Sequence, residues 1–450
     1  MRISRRDVLA GIALSPAVLR AAQESADFRS LAPTPPMGWN SWDSFATTIR
    51  EEDARAVAGI MAARLLPHGY DIFTIDAQWN EPGADGFDYR KDAALAMDEW
   101  GRLIPAANRF PSAAAGAGFR PLADHLHSLG LKFGIHVMRG VPRQAAQQNT
   151  PIQGSRARAG DIADRVNVCA WNADMYGIDM SKPGAQEYYD SIFRLYASWG
   201  VDFVKADDMS RPYWRNAPEI HAVRRAMDRC GRPMLLSLSP GETPLAAARD
   251  VEMNANLWRI SDDFWDTWPA LLEQFDRLKN WSGLGRPGNW PDADMLPLGN
   301  LELGRRRTRF TADEQVTLLT LWSIARSPLI VGGDLRHLDE ATWSLLTNDE
   351  VLQVNQASRG NREMFRSNGL AAWRAESLRG RDVYLALFNL RDPTPAAATA
   401  AVSVKLEDLG LSGPVRVRDL WRRRDLEAAR DEFAAPVACH GARLLRLSPG

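Results

Sequence analysis

Cysteine, histidine and net charge are all scarce in this sequence. The 450 residues include only three cysteines and seven histidines, and 55 lysines and arginines nearly balance 56 aspartates and glutamates. Cys169, Cys230 and Cys439 are odd in number and far apart, so they cannot form a complete disulfide framework, although one disulfide stays open. No CxxC pair or His/Cys cluster predicts a metal site. A net charge of -1 offers no positive potential to a polyphosphate backbone, so we expect no nucleic-acid partner.

Long apolar runs are also missing, apart from a short stretch near the N-terminus. Val8 to Leu19 is apolar but too short to span a bilayer as a helix, so we expect no membrane segment. It follows Arg5-Arg6 and precedes Ala21-Ala22, which is the order of an export signal, and the paired arginines favour the twin-arginine route. Residues 1–26 are therefore predicted to be a signal peptide of a bacterial periplasmic or secreted protein. The alternative is a cytoplasmic protein with a basic N-terminus.

Short apolar runs alternate with longer amphipathic stretches from about Pro33 to about Leu338, a pattern typical of repeated βα units. Eight such runs predict an α/β fold, a (β/α)8 TIM barrel over residues 27–358. In such barrels the chemistry lies on the loops at the C-terminal ends of the strands. The predicted strands are Met37 to Ser41, Tyr70 to Asp76, Lys132 to Val137, Phe203 to Asp207, Met234 to Leu238, Leu257 to Ile260, Pro287 to Trp290 and Leu329 to Val331.

Two other regions depart from the βα pattern. After about Gly360 the apolar segments become short and alternating, which predicts a small C-terminal antiparallel β-sandwich over residues 359–450. The linker Asp392 to Pro395 is predicted to be an exposed loop inside this domain. Between Arg139 and Met180 the sequence predicts an unusually long loop, and long loops on a compact scaffold are typical of lids and subsite walls. We expect this one to shape substrate specificity.

Tryptophan, in contrast, is abundant, with 16 residues. Trp39, Trp42, Trp79, Trp171 and Trp290 occur among loop-forming residues, where their flat faces suit sugar rings. The alternative is that most of these indoles fill the core.

Aspartates follow two of the predicted strands. Retaining glycoside hydrolysis needs two carboxyl groups about 5 Å apart, one ionised and one protonated, and neighbouring barrel strands can supply that spacing. Asp207 follows Lys205 by two residues, so both side chains project to the same side and the lysine helps to keep the carboxylate ionised, which suits a nucleophile. On these grounds Asp208 is an equal candidate, and an aspartate at a strand-to-helix junction can also be a helix cap.

The second aspartate has a different setting. Asp263 follows Arg259, and Trp265 and Trp268 lie close enough in sequence to raise the pKa of a carboxyl by desolvation, which suits an acid. The neighbouring Asp262 fits this description equally well.

A series of motifs, in order along the chain, distinguishes between these candidate aspartates. Pro35 to Trp42 resembles the opening strand of the α-galactosidases and α-N-acetylgalactosaminidases of glycoside hydrolase family 27. The resemblance covers nearly the whole predicted barrel, and the family's C-terminal β-sandwich agrees with the segment after Gly360. It continues through Ile75-Asp76, Lys132 to Ile135, Lys205-Ala206-Asp207, Trp258-Arg259 with Asp263, Pro287 to Leu296 and Trp322 to Leu329.

The resemblance implies a retaining exo-α-glycosidase that acts on terminal α-linked, galactose-type sugars without a metal or organic cofactor. Asp207 matches the family's nucleophile and Asp263 its acid/base. Four further residues match sugar-binding positions: Lys205 at ring hydroxyls, Arg259 at the sugar and the carboxylates, Trp39 as the platform under the sugar, and Asp76 at the distal hydroxyls.

Three positions depart from the α-galactosidase pattern. Ala77 stands where those enzymes usually carry a second aspartate. His136 replaces a pocket tyrosine, and it is either a hydroxyl-binding group or a core histidine. Ser239 stands where α-galactosidases often have glutamate and N-acetylgalactosaminidases a small residue, so it either leaves room for a 2-substituent or only ends a strand.

These departures leave other functions open. The alternative sugars are α-N-acetylgalactosamine, β-L-arabinopyranose and a glucose-containing α-glucan. A non-catalytic carbohydrate-binding protein on the same scaffold is the alternative outside enzymes, and a homo-oligomer is left open as well.

Overall fold

The structure is a computed structural model that describes residues 27–394 and 398–450. The predicted signal peptide, residues 1–26, lies outside the described residues, and so does Pro395 of the predicted linker. The eight strands of the N-terminal sheet are β1 Met37–Asn40, β2 Ile72–Ile75, β3 Lys132–Met138, β4 Phe203–Asp207, β5 Leu235–Leu238, β6 Leu257–Arg259, β7 Trp290–Asp292 and β8 Leu329–Val331.

These strands form the predicted barrel. They lie in the order β7-β6-β5-β4-β3-β2-β1-β8, and each neighbouring pair is parallel. A parallel bridge between Leu296 and Val331 joins the segment after β7 to β8 and brings the two ends of the sheet together. Most strand residues are buried, because helices cover the outside of the sheet and side chains fill its inside. The α/β barrel prediction is confirmed.

Helices connect the strands and cover the barrel. Their ends carry the usual sequence signals: at the start of the helix Ala312–Ala325, for example, Thr311 and Glu314 form a reciprocal capping box. The α-helices are α1 Trp42–Phe45, α2 Glu51–Arg64, α3 Arg120–Ser128, α4 Arg143–Gln148, α5 Ala159–Ile162, α6 Ala185–Trp199, α7 Tyr213–Arg229, α8 Ala248–Asn254, α9 Trp268–Asn280, α10 Ala312–Ala325, α11 Glu340–Leu346 and α12 Asp349–Gln356. Among the described residues, no helix is long and apolar enough to cross a lipid bilayer.

Strand β7 begins at Trp290, three residues later than the sequence predicts. Gly288 has a φ of 93°, and an isolated antiparallel bridge pairs Arg286 with Asn289. The Pro-Gly segment is therefore a turn that leads into the strand, because a left-handed glycine cannot continue an extended run. Asp292 and Asp294 consequently lie at the C-terminal end of β7.

The long connection after β3 is a small folded unit rather than an irregular loop. Helices α4 and α5 lie in it with three short strands, Val141–Pro142, Ala163–Val168 and Met175–Ile178, which form one antiparallel sheet. Arg139 connects this unit to the barrel, since its guanidinium donates to Asn167 at 3.1 Å and to Asp208 at 2.6 Å. The unit therefore lies beside the C-terminal end of β4.

The C-terminal region is the predicted antiparallel β-sandwich. Its strands are β9 Ser358–Ser367, β10 Leu370–Ser377, β11 Val383–Asn389, β12 Thr399–Lys405, β13 Val415–Asp419, β14 Arg424–Ala429, β15 Glu432–Ala438 and β16 Ala442–Pro449. Six form one sheet in the order β9-β10-β11-β16-β13-β14, and β12 pairs with β15. Strands β9, β14 and β15 have weak strand patterns in the sequence, because much of β9 and β14 is exposed and the short side chains of β15 alternate only weakly in hydropathy. The exact domain boundary at residue 359 stays a prediction.

The sandwich packs against the barrel helices α9 and α10. Phe388 of β11 meets Phe275 of α9 edge to face with ring centroids 5.0 Å apart, and His440 stacks on Trp268 at 3.7 Å. This face is continuous with the barrel core, whereas the opposite face of the larger sheet packs against β12 and β15. The domain therefore supports the barrel from the side of its helices.

We expect Gly38→Ala to lower the free energy of unfolding by about 1–3 kcal/mol, the usual cost of overpacking a core. A methyl group at Gly38 would lie 2.2 Å from the carbonyl oxygen of Ile72, in the contact between β1 and β2. The control is Gly59→Ala in α2, where no atom lies within 4 Å of the added methyl group and alanine favours the helix. Urea denaturation of both variants measures the difference, and equal stability would contradict the close approach.

Candidate active site

A cavity of about 590 Å³ opens at the C-terminal ends of the barrel strands. It contains six of the eight residues predicted to be functional, namely Asp76, Lys205, Asp207, Ser239, Arg259 and Asp263. The other residues that line it are Trp42, Asp43, Phe87, Asp88, Tyr89, Trp171, Arg211, Pro240, Asp262, Phe264, Trp265, Asp294 and Met295.

Asp207 is the last residue of β4, and its carboxylate is held by two donors. Oδ1 accepts the backbone N–H of Asp208 at 2.6 Å, and Oδ2 lies 2.8 Å from Nε2 of His136 on the adjacent strand β3. An ionised carboxylate can only accept, so the His136 ring nitrogen must be the donor. Because each carboxylate oxygen has a donor of its own, the geometry fixes the carboxylate in place, which suits a nucleophile.

His136 lies behind Asp207 rather than in the cavity wall. Its side chain is buried and lines a small neighbouring cavity together with Ala77 and Gln78. His136 is therefore neither a hydroxyl-binding group in the cavity nor a core histidine bonded to a backbone carbonyl. Its ring positions the carboxylate of Asp207.

Asp208 points away from the cavity into a buried ion network. Its carboxylate contacts Arg139 at 2.6 Å, and Arg139 also pairs with Glu219 at 2.6 Å. Asp208 has a φ of 59°, an uncommon backbone conformation for a residue other than glycine. This turn directs the two neighbouring aspartates to different places, and only Asp207 faces the cavity.

Asp76 and Lys205 form a buried ion pair in the cavity wall. The lysine Nζ lies 2.9 Å from Oδ2 of Asp76, and the amide of Asn40 donates to the same oxygen at 2.7 Å. Burial alone would raise the pKa of Asp76, but Lys205 and His136 hold that pKa well below its usual range. Conversely, burial would lower the pKa of Lys205, but Asp76 and Asp294 hold it above its usual range. Both groups are therefore charged over the whole range in which an enzyme works.

Arg259 connects the acidic groups on the opposite side of the mouth. Its guanidinium lies 2.6 Å from Asp294 and 3.3 Å from Asp263. The Asp263 side chain is 55% exposed, so it can reach a leaving group without moving the buried residues. Its neighbour Asp262 is paired with Arg211 at 2.8 Å.

The sequence analysis did not single out two buried carboxyl groups, Asp43 and Asp294, which both line the cavity. Burial, and then the charge of Asp294, raises the pKa of Asp43 well above its usual value. Burial also raises the pKa of Asp294, against the attraction of Arg259. Oδ2 of Asp43 has no hydrogen-bond partner among the described residues. The sequence did offer one signal for these two aspartates, because both lie in or directly beside motifs that carry the family resemblance.

Trp39 is not an exposed platform, which corrects the sequence-based expectation. Its indole is completely buried, packs on Phe73 at 4.8 Å and donates from Nε1 to the carbonyl of Gly333. A platform must present a face to the sugar, so Trp39 supports the cavity from below. Trp42, three residues later, does line the cavity, and its indole stacks beside Tyr89 at 6.3 Å.

An aromatic rim completes the cavity and comes from the connection after β2. Phe87 of this segment meets Trp42 at 5.4 Å and Trp265 at 6.0 Å, both edge to face. Burial raises the pKa of Tyr89, and Asp207 raises it further, so its hydroxyl stays protonated beside the carboxylates. Ser239 joins the wall at the end of β5, and its backbone N–H donates to Ala206 of β4 at 2.9 Å.

The arrangement combines an oriented carboxylate, a second accessible carboxyl group and sugar-sized space between aromatic and charged walls. Among the described residues, no group of three or more histidines, cysteines or carboxylates is placed to hold a metal ion. Cys169 and Cys230 both carry free thiols. An oriented carboxylate and an accessible carboxyl group in a sugar-sized cavity are the features of a glycoside hydrolase site.

Comparison with known proteins gives the family. The profile described as alpha galactosidase A matches residues 143–357, and that of the alpha galactosidase C-terminal beta sandwich domain matches residues 367–447. α-Galactosidase 3 of Arabidopsis thaliana is 30% identical over 430 residues, which are 93% of this chain and 83% of that protein. The chain therefore belongs to glycoside hydrolase family 27, whose members typically act with retention of configuration.

Solved structures are more similar still. A family 27 β-L-arabinopyranosidase from Geobacillus stearothermophilus is 50% identical, with a TM-score of 0.91, over 94% of this chain and 98% of that one. A Bacillus halodurans protein assigned as an α-N-acetylgalactosaminidase is 45% identical, with a TM-score of 0.82, over 92% of this chain and 97% of that one.

We expect Asp43→Asn to be more stable than the wild type at neutral pH and no more stable at about pH 4. The raised pKa of Asp43 means that the unfolded chain ionises first, so the wild type loses up to about 1.4 kcal/mol per pH unit as the pH rises towards the folded pKa. Asparagine has no such loss. Thermal unfolding at several pH values measures the difference, with Asp92→Asn, an exposed carboxyl, as the control. A stability difference that does not change with pH would contradict this prediction.

Proposed function

We propose that the enzyme removes a terminal sugar by double displacement, with Asp207 as nucleophile and Asp263 as acid/base. In the first step an oxygen of Asp207 bonds to the anomeric carbon while Asp263 gives its proton to the departing glycosidic oxygen. In the second step Asp263 takes a proton from water, the water oxygen bonds to the same carbon, and the bond to Asp207 breaks. The single observation that supports these roles is that Asp207 is fixed by two donors, whereas Asp263 is exposed at the mouth of the same cavity.

The sugar that we propose is β-L-arabinopyranose, with α-D-galactose as the second candidate. The two share the ring configuration at C1 to C4 and differ in the exocyclic hydroxymethyl group that only galactose has. A buried hydroxyl needs a hydrogen-bond partner. At the end of β2 only Asp76 lines the cavity, and its oxygen Oδ2 already accepts from Lys205 and Asn40, while Ala77 offers no second carboxylate. The adjoining rim of Trp42 and Phe87 is aromatic.

The relatives support both sugars. The solved β-L-arabinopyranosidase is 50% identical to this chain, and a variant of that enzyme was solved with arabinose bound. The family profile and the curated plant relatives, at 28–30% identity, are α-galactosidases. The higher identity favours β-L-arabinopyranose. Ala77 also favours it, because α-galactosidases usually carry an aspartate at this position.

We also propose that the protein is exported by the twin-arginine route to the periplasm or beyond. Arg5-Arg6 ahead of the apolar stretch Val8 to Leu19 supports this. The homo-oligomer that the sequence left open and the absence of a nucleic-acid partner stay predictions.

We expect kcat/KM for p-nitrophenyl β-L-arabinopyranoside to exceed that for p-nitrophenyl α-D-galactopyranoside by about tenfold, because an apolar wall rejects an extra hydroxyl by only a moderate factor. Initial rates with purified enzyme measure the ratio, and Asp207→Asn, which should turn over neither substrate, is the negative control. A faster galactoside would establish the second candidate. Hydrolysis of neither glycoside, nor of the N-acetylgalactosaminide or glucoside, would contradict the proposed function.

The acid/base role predicts how activity depends on the leaving group. Asp263→Ala should lose far more activity on a glycoside of an alkyl alcohol than on a 2,4-dinitrophenyl glycoside, because the second leaving group needs no proton. The matched control is Asp262→Ala, which removes the neighbouring carboxylate and should reduce both rates by the same factor. If the leaving-group dependence follows Asp262 instead, the two assignments must be exchanged.

A further inference from the structure

Asp43 is a buried carboxyl group that the proposed mechanism does not use. It lies in the first turn of α1, just after the end of β1, and its side chain lines the active-site cavity. Only 4% of the residue is exposed. An aspartate at the start of a helix commonly accepts a backbone N–H, but Oδ2 of Asp43 accepts no hydrogen bond among the described residues. Helix capping therefore does not account for this oxygen.

The end of β8 leaves room for the Asp43 carboxyl group. Gly332 directly follows β8, and a methyl group at this position would overlap the carboxyl group of Asp43. The next residue, Gly333, accepts the indole N–H of Trp39 at 2.8 Å, which attaches β1 to the end of β8. The carboxyl group is thus positioned by close packing against the end of a neighbouring strand, and only a glycine at residue 332 permits this position.

The charged groups around Asp43 are mostly acidic. They are Asp294, Lys205, Asp263 and Asp76, and of these four only Lys205 carries a positive charge. Burial, and then the charge of Asp294, raises the pKa of Asp43 well above its usual value, against the attraction of Lys205. The protonated carboxyl group has an O–H donor, and a buried polar group without a partner costs stability. A ligand in the cavity can supply the missing partner.

We propose that Asp43 binds a hydroxyl group of the terminal sugar as a neutral carboxylic acid, donating its own proton in a hydrogen bond. A sugar hydroxyl both accepts and donates, so it can accept from Asp43 and donate to an ionised carboxylate of the same cavity. A sugar without this hydroxyl would leave the buried acid unpaired, so Asp43 contributes to the choice of sugar. This inference rests on the proposed function, since it places the terminal sugar in this cavity.

The test removes the donor from the enzyme and the acceptor from the sugar in one double-mutant cycle. For the wild type and Asp43→Ala, kcat/KM is measured on the 2,4-dinitrophenyl glycoside of the preferred sugar and on its 2-, 3- and 4-deoxy derivatives. We expect Asp43→Ala to lower kcat/KM about tenfold on the parent glycoside, equivalent to the loss of one buried hydrogen bond. On one of the deoxy glycosides the same substitution should have little effect, because the acceptor is already missing.

Two further variants complete the experiment. Asp43→Asn keeps an uncharged donor, so it should retain most of the wild-type kcat/KM and the same dependence on that hydroxyl. The control is Asp313→Ala, which removes an exposed aspartate from the matching position in the first turn of α10, outside the cavity, and should change none of the rates. Thermal unfolding of each variant establishes that it is folded.

The outcomes separate the role of Asp43 from the proposed function. If Asp43→Ala lowers kcat/KM by the same factor on all four glycosides, or on none, the hydroxyl contact is overturned while the hydrolytic function stands. If Asp43→Asn loses as much activity as Asp43→Ala, the neutral donor is overturned. If the wild type hydrolyses no glycoside of any sugar tested, the proposed function itself fails.

Discussion

An excess of carboxyl groups over cations at the barrel mouth is the constraint on which the site depends. Of the described residues, seven aspartates but only one lysine and two arginines line the cavity. Lys205 and Arg259 sit among these acids and pair most closely with Asp76 at 2.9 Å and Asp294 at 2.6 Å. Asp43, Asp76, Asp207 and Asp294 are buried, and burial disfavours the charged form of a carboxyl group unless a cation or a hydrogen-bond donor compensates. Raised pKa values for Asp43 and Asp294, but a lowered one for Asp76, agree with this.

This separation into charged and neutral carboxyl groups is what glycoside hydrolysis requires. A nucleophile must be ionised while a neighbouring acid holds a proton, so the carboxyl groups of such a site need different neighbours. Asp207 receives donors from His136 and the backbone. The fold supplies these neighbours because parallel strands end together, so that residues distant in sequence meet at one edge.

The second theme is the division between a rigid base and variable walls. Trp39, His136 and Asp208 all lie beneath or behind the cavity, where they fix the residues that face it. The walls come from connections after β2 and β3, which bring Phe87, Tyr89 and Trp171 to the mouth. Connections of this kind can change in sequence without disturbing the barrel.

By itself the sequence determined the barrel, the sandwich and six of the residues that line the cavity. Apolar runs of strand length and ordered motifs are local features, and Lys205 and Asp207 share a face because side chains alternate along a strand. The tertiary structure alone decided which aromatic and acidic groups face the sugar. Trp39 and Trp42 are three residues apart, and Asp207 and Asp208 are adjacent. Whether each faces the cavity or the core depends on backbone turns and on partners such as Arg139 and Gly333 from distant segments. Such long-range contacts leave no local pattern in the chain.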